Sequence, residues 1–394
     1  MTFYAAGVVP ILALTLGYRT RLATLLTFVF VHSVENRNVL LCDSGDTLVR
    51  MMLFWGLFTD LGGRFSLDVR LGRRPPARTT RATFVRFMHL QVALMYVCSV
   101  AAKTGPSWAD GSAVGRALAD PDFARPFGAW LVGVPLACRA LTHLTLAVEG
   151  GFPALTLAPW AQPWATRIGI LSGVALHAGI LLTMRVGIFS VIVMATYITF
   201  MDTDLLDALS KPLPWLAAKG EIRVPWSGRL EWALAGVLAV HFAVIVRSLL
   251  PTVPAWAARE TALAGNWQNW AMFSPDAPYA SYRLFARGQD VLGQDVDPLL
   301  LAAPELLVQR RTWYQRWDKI RGSVAAARKR ALGPLGRYVC HTYNRDASHP
   351  RLDEFRLLLD IEPVDAPGVP PNVKSRPAAL FWTQKCGGHG HAPG

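Results

Sequence analysis

The sequence predicts a mainly α-helical protein, a polytopic transmembrane helical bundle of about eight helices with a small C-terminal α+β domain outside the membrane. Three observations predict it. Hydrophobic residues fill 52% of the 394 positions and charged residues only 17%, too apolar for a soluble chain of this size. Apolar segments recur up to residue 250 at close to the length that crosses a bilayer. The basic residues behind the formal net charge of +13 fall in short connections and in the last third, a pattern that fits anionic headgroups and the positive-inside bias, not nucleic acid.

The apolar segments run over about 3–17, 22–34, 39–59, 85–103, 126–148, 168–184, 186–202 and 230–250. The second is short and has to tilt, re-enter or merge with a neighbour. The 60–83 connection carries Arg64, Arg70, Arg73, Arg74, Arg78 and Arg81 and reads as cytoplasmic, as do Arg19 and Arg21 and the 204–229 loop. Counting spans from there puts Lys103, the 104–125 loop and everything after Pro251 on the outer face of a cell (inner) membrane. The start then lies outside with no helix ahead of it, so a missing first helix is an open expectation. The first residues lack the basic region of a cleavable signal.

The domain plan is a transmembrane unit over 1–250, an interfacial connector over 251–280 and an extracytoplasmic soluble domain with a flexible tail over 281–394. Asn266 to Pro275, rich in tryptophan and amides, suits a membrane interface. In the soluble part, Tyr282 to Ala286, Tyr338 to His341 and Phe355 to Ile361 read as strands and Pro304 to Lys329 as a basic helix. Cys42, Cys98 and Cys138 lie in or beside apolar stretches as small hydrophobes, whereas Cys340 and Cys386 stand in the polar part, where one disulfide can form if that part is exported. The tail with Cys386, His389 and His391 reads as a disordered terminus, and no metal site is expected.

Lys103 ends an apolar helix that carries no acid and no Lys or Arg from Phe87 to Ala102. Two readings compete. Either the lysine snorkels, with Gly105 and Pro106 stopping the helix and Trp108 anchoring it at the headgroups, or its amine is dry enough to be neutral and act as a base. Arg139 and His143, four apart on one helical face within an apolar span, require a protein interior or a wet cavity. Their alternatives are a packing network and a site role, with Glu149 following near the cytoplasmic end. His177, central in its segment, needs a partner in a bilayer and is a candidate for a functional cavity; His241 is a weaker case of the same kind. No P-loop, His-Glu-x-x-His or Gly-x-Ser-x-Gly string occurs.

Lys103, Trp108 and Gly111, with Asp110 between the last two, match the catalytic-lysine motif of a known family in spacing. Asp43 to Asp46, an apolar run and then Gly63 to Asp68 ending in Ser-Leu-Asp continue the likeness. So do His177 with Phe189 and Ser190 twelve and thirteen residues on, Thr145 to Glu149, and Trp270 to Phe273. In order and spacing these resemble the vitamin K-dependent gamma-carboxylases and their bacterial relatives, the horizontally transferred transmembrane (HTTM) family, over about residues 20–280. Gly45 and Asp46 stand where the animal carboxylases carry a histidine, and the soluble part is shorter.

The resemblance implies an enzyme of the carbon-carbon lyase class. Its lysine amine deprotonates a reduced vitamin K or menaquinone-type hydroquinone, oxygen adds, and the strong base formed removes a gamma proton from a glutamate that then captures carbon dioxide. It implies Lys103 and His177 as catalytic and Trp108, Arg139, His143 and Asp46 as cofactor-binding, with a peptide or protein substrate on the outer face and the lipid bilayer as setting. The alternative is a non-enzymatic membrane protein that binds lipid, quinone or a partner through its outer domain. A secondary transporter is disfavoured, because the hydropathy pattern has no internal repeat.

Overall fold

The computed structural model describes residues 2–37, 41–63, 65–75, 82–210, 228–250, 252–304, 329–364 and 376–386. Helices α1 (Thr2–Leu16) and α2 (Thr20–Arg37) form an antiparallel hairpin whose turn places Gly17 and Arg19 at positive φ. The Asp68 carboxylate clamps that turn, accepting the N–H groups of Arg19 (2.8 Å) and Thr20 (3.0 Å) and the Thr20 hydroxyl (2.9 Å). Asp68 sits on the one-turn helix α4 (Leu67–Arg70), which Ser66 caps. The Ser-Leu-Asp string therefore holds the first hairpin in shape.

Between them lies α3 (Ser44–Gly56), started by a capping box in which Asp43 accepts from the Gly45 and Asp46 N–H groups and Asp46 accepts from the Asp43 N–H. It packs antiparallel to α5 (Ala82–Ala102). Trp55 stacks on Phe87 with ring centres 5.1 Å apart, while Leu48 joins Met95 and Tyr96 at the other end. The inner face of α5 is buried at helical spacing through Phe84, Met88, Val92, Met95 and Ser99.

The chain does not cross as one rod over 126–148. Short helices α6 (Pro106–Ala109), α7 (Ala113–Ala119) and α8 (Pro126–Leu131) form a cap, and α9 (Pro135–Leu157) starts afresh at a proline. Val134 precedes that proline and leaves the helical region, as such residues tend to. Helix α9 then runs through Gly150, Gly151 and Pro153 without stopping, because α5 and α10 (Trp164–Thr183) pack along it. Glu149 thus lies in the body of α9. After it come α11 (Phe189–Thr196) with a 3-10 turn over Tyr197–Phe200, α12 (Thr203–Ser210), α13 (Arg229–Ser248) and α14 (Ala255–Leu263).

Every expected apolar segment contains a helix, but not each helix is by itself long and apolar enough to cross a membrane. Among the described residues Thr83–Ala102, Trp164–Thr183 and Glu231–Ser248 are long and apolar enough to cross a membrane, and a fourth span results if Phe189–Phe200 and Thr203–Leu209, bent by 119°, count as one. The others are too short, like the 15 residues of α1 and the 13 of α3, or carry charge, as α2 does at Glu35 and α9 at Arg139 and Glu149.

The 266–275 segment is a buried strap instead of an interfacial turn. Asn266, Gln268 and Trp270 are inside the bundle. Gln268 accepts from the Gln91 amide at 2.8 Å and from the Trp270 indole at 2.7 Å. His241 on α13 holds the start of the strap through Asn266 (2.6 Å) and pairs with Glu260 (2.8 Å), so its partner is structural.

The strap feeds β1 (Ala280–Asp290), which forms an antiparallel sheet in the order β2-β1-β3-β4 with β2 (Asp295–Val296), β3 (Leu352–Pro363) and β4 (Arg376–Lys385). Helices α15 (Pro298–Ala302) and α16 (Lys329–Arg345) cover one face, and Leu284, Val339, Tyr343, Phe355 and Leu357 share the core. Gly288 faces Phe355 across the pair, where a Cβ would come within 2.9 Å of the Phe355 Cβ, so the strands approach there only with glycine. The expected strand over 338–341 is helical: Leu332, Leu335, Val339 and Tyr343 recur at three and four residues and form the buried stripe of α16. Cys340 and Cys386 form a disulfide that ties α16 to the end of β4. The expected helix over 304–329 falls almost wholly outside the described residues, as do His389 and His391.

Candidate active site around Lys103

Lys103 follows the last turn of α5, and its side chain is 2% exposed. Four residues back, Ser99 lies beneath it. The amine donates to the Ser99 hydroxyl at 2.5 Å and to the Glu149 carboxylate at 2.6 Å. The Trp108 ring covers it at 5.0 Å, and the indole N–H is itself fixed by the Phe273 carbonyl at 2.9 Å. The lysine neither snorkels nor stands alone, and Trp108 is a buried lid instead of a headgroup anchor.

One turn further into the bundle lies a second polar group. Tyr96 is seven residues before Lys103 and Phe152 three after Glu149, so both pairs share a helical face. The Tyr96 hydroxyl meets His177 Nε2 at 2.9 Å and also the Tyr197 hydroxyl, while His177 Nδ1 faces the Ser190 hydroxyl at 3.3 Å. Phe152 packs on both tyrosine rings, at 4.8 and 5.1 Å. Both phenols lie within electrostatic reach of Glu149. Phe189 and Ser190, twelve and thirteen residues on in sequence, thus meet His177 in space, the Phe189 ring standing edge-on to the imidazole at 5.7 Å.

The chain just after the strap closes the site beside α6. Asp276 accepts from the Ser107 N–H at 2.8 Å and the Tyr279 hydroxyl at 2.5 Å, and also from the Ser107 hydroxyl. Burial pushes its carboxyl up, but these donors and the charge of Arg116 outweigh that and hold it below the usual carboxylate range. Tyr279, by burial first and then by the Asp276 carboxylate, is pushed up to about 12. Gly111 turns the chain at φ +83°, where a Cβ would meet Arg139 Cγ at 2.5 Å.

Three expected cofactor-binding residues sit elsewhere. Arg139 and His143 do share a face of α9, but both are exposed beside Gly111 near the start of the helix. The break before Pro135 moves them outward, toward the cap. Asp46 is half-buried in the capping box of α3, and its helix start abuts Phe189, one layer removed from His177. In their place stand residues that sequence reasoning passed over: Ser99, Tyr96 and Tyr197, and Glu149 as a partner of Lys103. Helical spacing back from Lys103 is the signal that finds Ser99 and Tyr96.

A second buried ion pair joins Arg50 on α3 to Glu35 on α2. Arg50 also donates to the Trp267 carbonyl at 2.5 Å and lies over the Trp267 ring at 4.9 Å, which locks the strap to α3. Among the described residues no group of three or more His, Cys, Asp or Glu is arranged to hold a metal. No family model matches the chain, and neither the curated proteins nor the solved structures include a match to it.

Proposed function

We propose that this chain is an integral membrane enzyme that moves a proton at the Lys103–Glu149 pair, in the manner of the hydroquinone-dependent carboxylases it resembles. The observation that carries the reading is the pair itself. A buried ion pair is a poor source of stability, because desolvating both charges offsets most of their attraction, whereas an ionisable pair inside a membrane bundle marks a functional site. The amine and carboxylate are 2.6 Å apart, within range for a proton to pass between them. With the proton on Glu149, the amine carries a lone pair and is a base. Trp108 and the cap keep water from it, which a strong base requires. The network of Tyr96, His177, Tyr197 and Ser190 offers hydroxyl and imidazole groups along which the proton can leave.

The cofactor this reading implies is a reduced naphthoquinone, with oxygen and carbon dioxide as co-substrates. The residues fit it in kind: Lys103 and Glu149 would face its hydroxyl, and the rings of Tyr96, Phe152 and Tyr197, packed on one another further along the same two helices and the 3-10 turn after α11, would offer it an aromatic wall. When bound, such a group supplies the reductant whose oxidation generates a base strong enough to break a carbon-hydrogen bond. Arg139, His143 and Asp46 take no part in holding it.

The same reading orients the chain. The arginines of the 17–22 turn and the 60–75 segment lie at the end of the bundle where α3 stops and α5 begins, while Lys103 and the disulfide-bonded domain lie at the other. Basic residues favour the cytoplasmic side and disulfides the oxidising side, so both signals point the same way. Helices α1, α2, α3 and α9 complete the bundle beside the three or four longer apolar helices, for about eight membrane helices in all.

The test uses membranes containing the full chain, supplied with reduced naphthoquinone, oxygen and bicarbonate. Quinone epoxide, measured by mass spectrometry, is expected from the parent protein, to be lost in Lys103→Ala and to fall by about 100-fold or more in Glu149→Gln. Unchanged epoxide in Lys103→Ala ends the enzymatic reading. The occupied amine, with Ser99 and Glu149 as partners, then favours the alternative in which the pair pins α5 to α9 in a non-catalytic protein that binds lipid or a partner.

A further inference from the structure

A cavity of about 470 Å³ opens at the arginine-rich end of the bundle, lined by Arg19, Thr20, Arg21, Leu22, Asp68 and Arg74. Its charges are unequal. Asp60 is taken by a two-pronged pair with Arg74, at 2.6 and 2.5 Å, and Asp68 by the α1–α2 turn. Among the described residues, neither Arg19 nor Arg21 has a carboxylate partner, and both are exposed. Arg73 adds a further charge next door, over the Tyr18 ring at 4.4 Å. The surplus is visible in Tyr18, whose hydroxyl is held below its usual range by the hydrogen bond and charge of Arg73, with Arg19 adding to the effect.

Leu22 lines this cavity and is exposed, and Leu16, Leu61, Phe65 and Leu71, on the chain segments that flank the lining residues in sequence, are also large and exposed. A free anion needs the arginines alone, whereas a surface that joins guanidiniums without carboxylate partners to bare leucines fits a molecule with a phosphate at one end and acyl chains at the other. The place fits too. Helix α5, 21 residues and so about 31 Å long, separates this end from Lys103, close to the thickness of a bilayer core.

We infer that this cavity binds the phosphate of an anionic phospholipid headgroup, with the Arg19 and Arg21 guanidiniums as its donors. The site goes beyond the chemistry at Lys103 and does not depend on it.

The full chain in neutral-detergent micelles, titrated with dihexanoyl phosphatidylglycerol and followed by native mass spectrometry, tests this. The anionic lipid is expected to be retained in preference to dihexanoyl phosphatidylcholine, and the Arg19→Gln, Arg21→Gln double variant to weaken it by about 30-fold. Arg287→Gln, an exposed arginine of the outer domain, is expected to change nothing. Should the double variant fold poorly, Arg21→Gln against Arg21→Lys gives the same comparison, with loss in the first and retention in the second. Equal retention of the two lipids, or an unaffected double variant, overturns the site. Inorganic phosphate displacing the lipid at equal concentration overturns the lipid as its occupant.

Discussion

At Lys103 the amine has three neighbours, the Ser99 hydroxyl, the Glu149 carboxylate and the Trp108 indole. Removing one partner of such a buried pair leaves an uncompensated charge, and replacing both with apolar side chains does not. Glu149→Gln is therefore expected to destabilise the bundle by about 3–5 kcal/mol, while Lys103→Met combined with Glu149→Leu returns most of that stability. Unfolding of the purified protein in mixed micelles at rising dodecyl sulfate reads both. The pair of results separates structure from chemistry, because the double variant restores folding and not epoxidation. A double variant no more stable than the single one would show that the pair contributes attraction the apolar residues cannot replace.

At the scale of elements, the strap is the part that couples the rest. It is held to α3 through Arg50, to α5 through Gln91, to α13 through His241 and to α6 through Asp276. Among these contacts, Asp276 has a carboxyl that its donors and Arg116 hold below its ordinary range. Its pKa is lower folded than unfolded, so its contribution is complete above the ordinary carboxylate value of about 3.9 and is lost as pH falls through the lowered one. Acidification below about pH 4 is accordingly expected to loosen the strap from Ser107, seen as faster hydrogen exchange at residues 105–109. Asp276→Asn should remove that pH dependence and show the faster exchange already at neutral pH.

For the molecule as a whole, the disulfide and the arginine cavity mark opposite ends. A membrane-impermeant maleimide added to intact cells after gentle reduction is expected to label Cys340 and Cys386. A cysteine placed at Leu71, exposed beside the arginines, should react only once the membrane is opened. The reverse pattern would invert the orientation. Removing the disulfide by Cys340→Ser opens a loop of 46 residues, which costs the sheet and its covering helix about 4 kcal/mol in the chain-entropy account, and faster proteolysis of the sheet is the measure.

What composition and periodicity determined by themselves was the division of the chain: apolar helices to about residue 250, a mixed domain after it, Lys103 as the charge to explain and Cys340 with Cys386 as the pair to watch. Those are properties of runs and of single costly residues, and solvent imposes them locally. Tertiary structure alone decided the rest. Whether 126–148 is one rod or a cap followed by α9 is decided at the break before Pro135, which carries Arg139 and His143 toward Gly111, while Glu149 further along α9 meets Lys103. Tyr338 to His341 reads as a strand until the sheet offers its face to a helical stripe. Partners 46 and 101 residues apart, as for Lys103 with Glu149 and Tyr96 with Tyr197, are chosen by how helices cross, a choice that no local window of sequence contains.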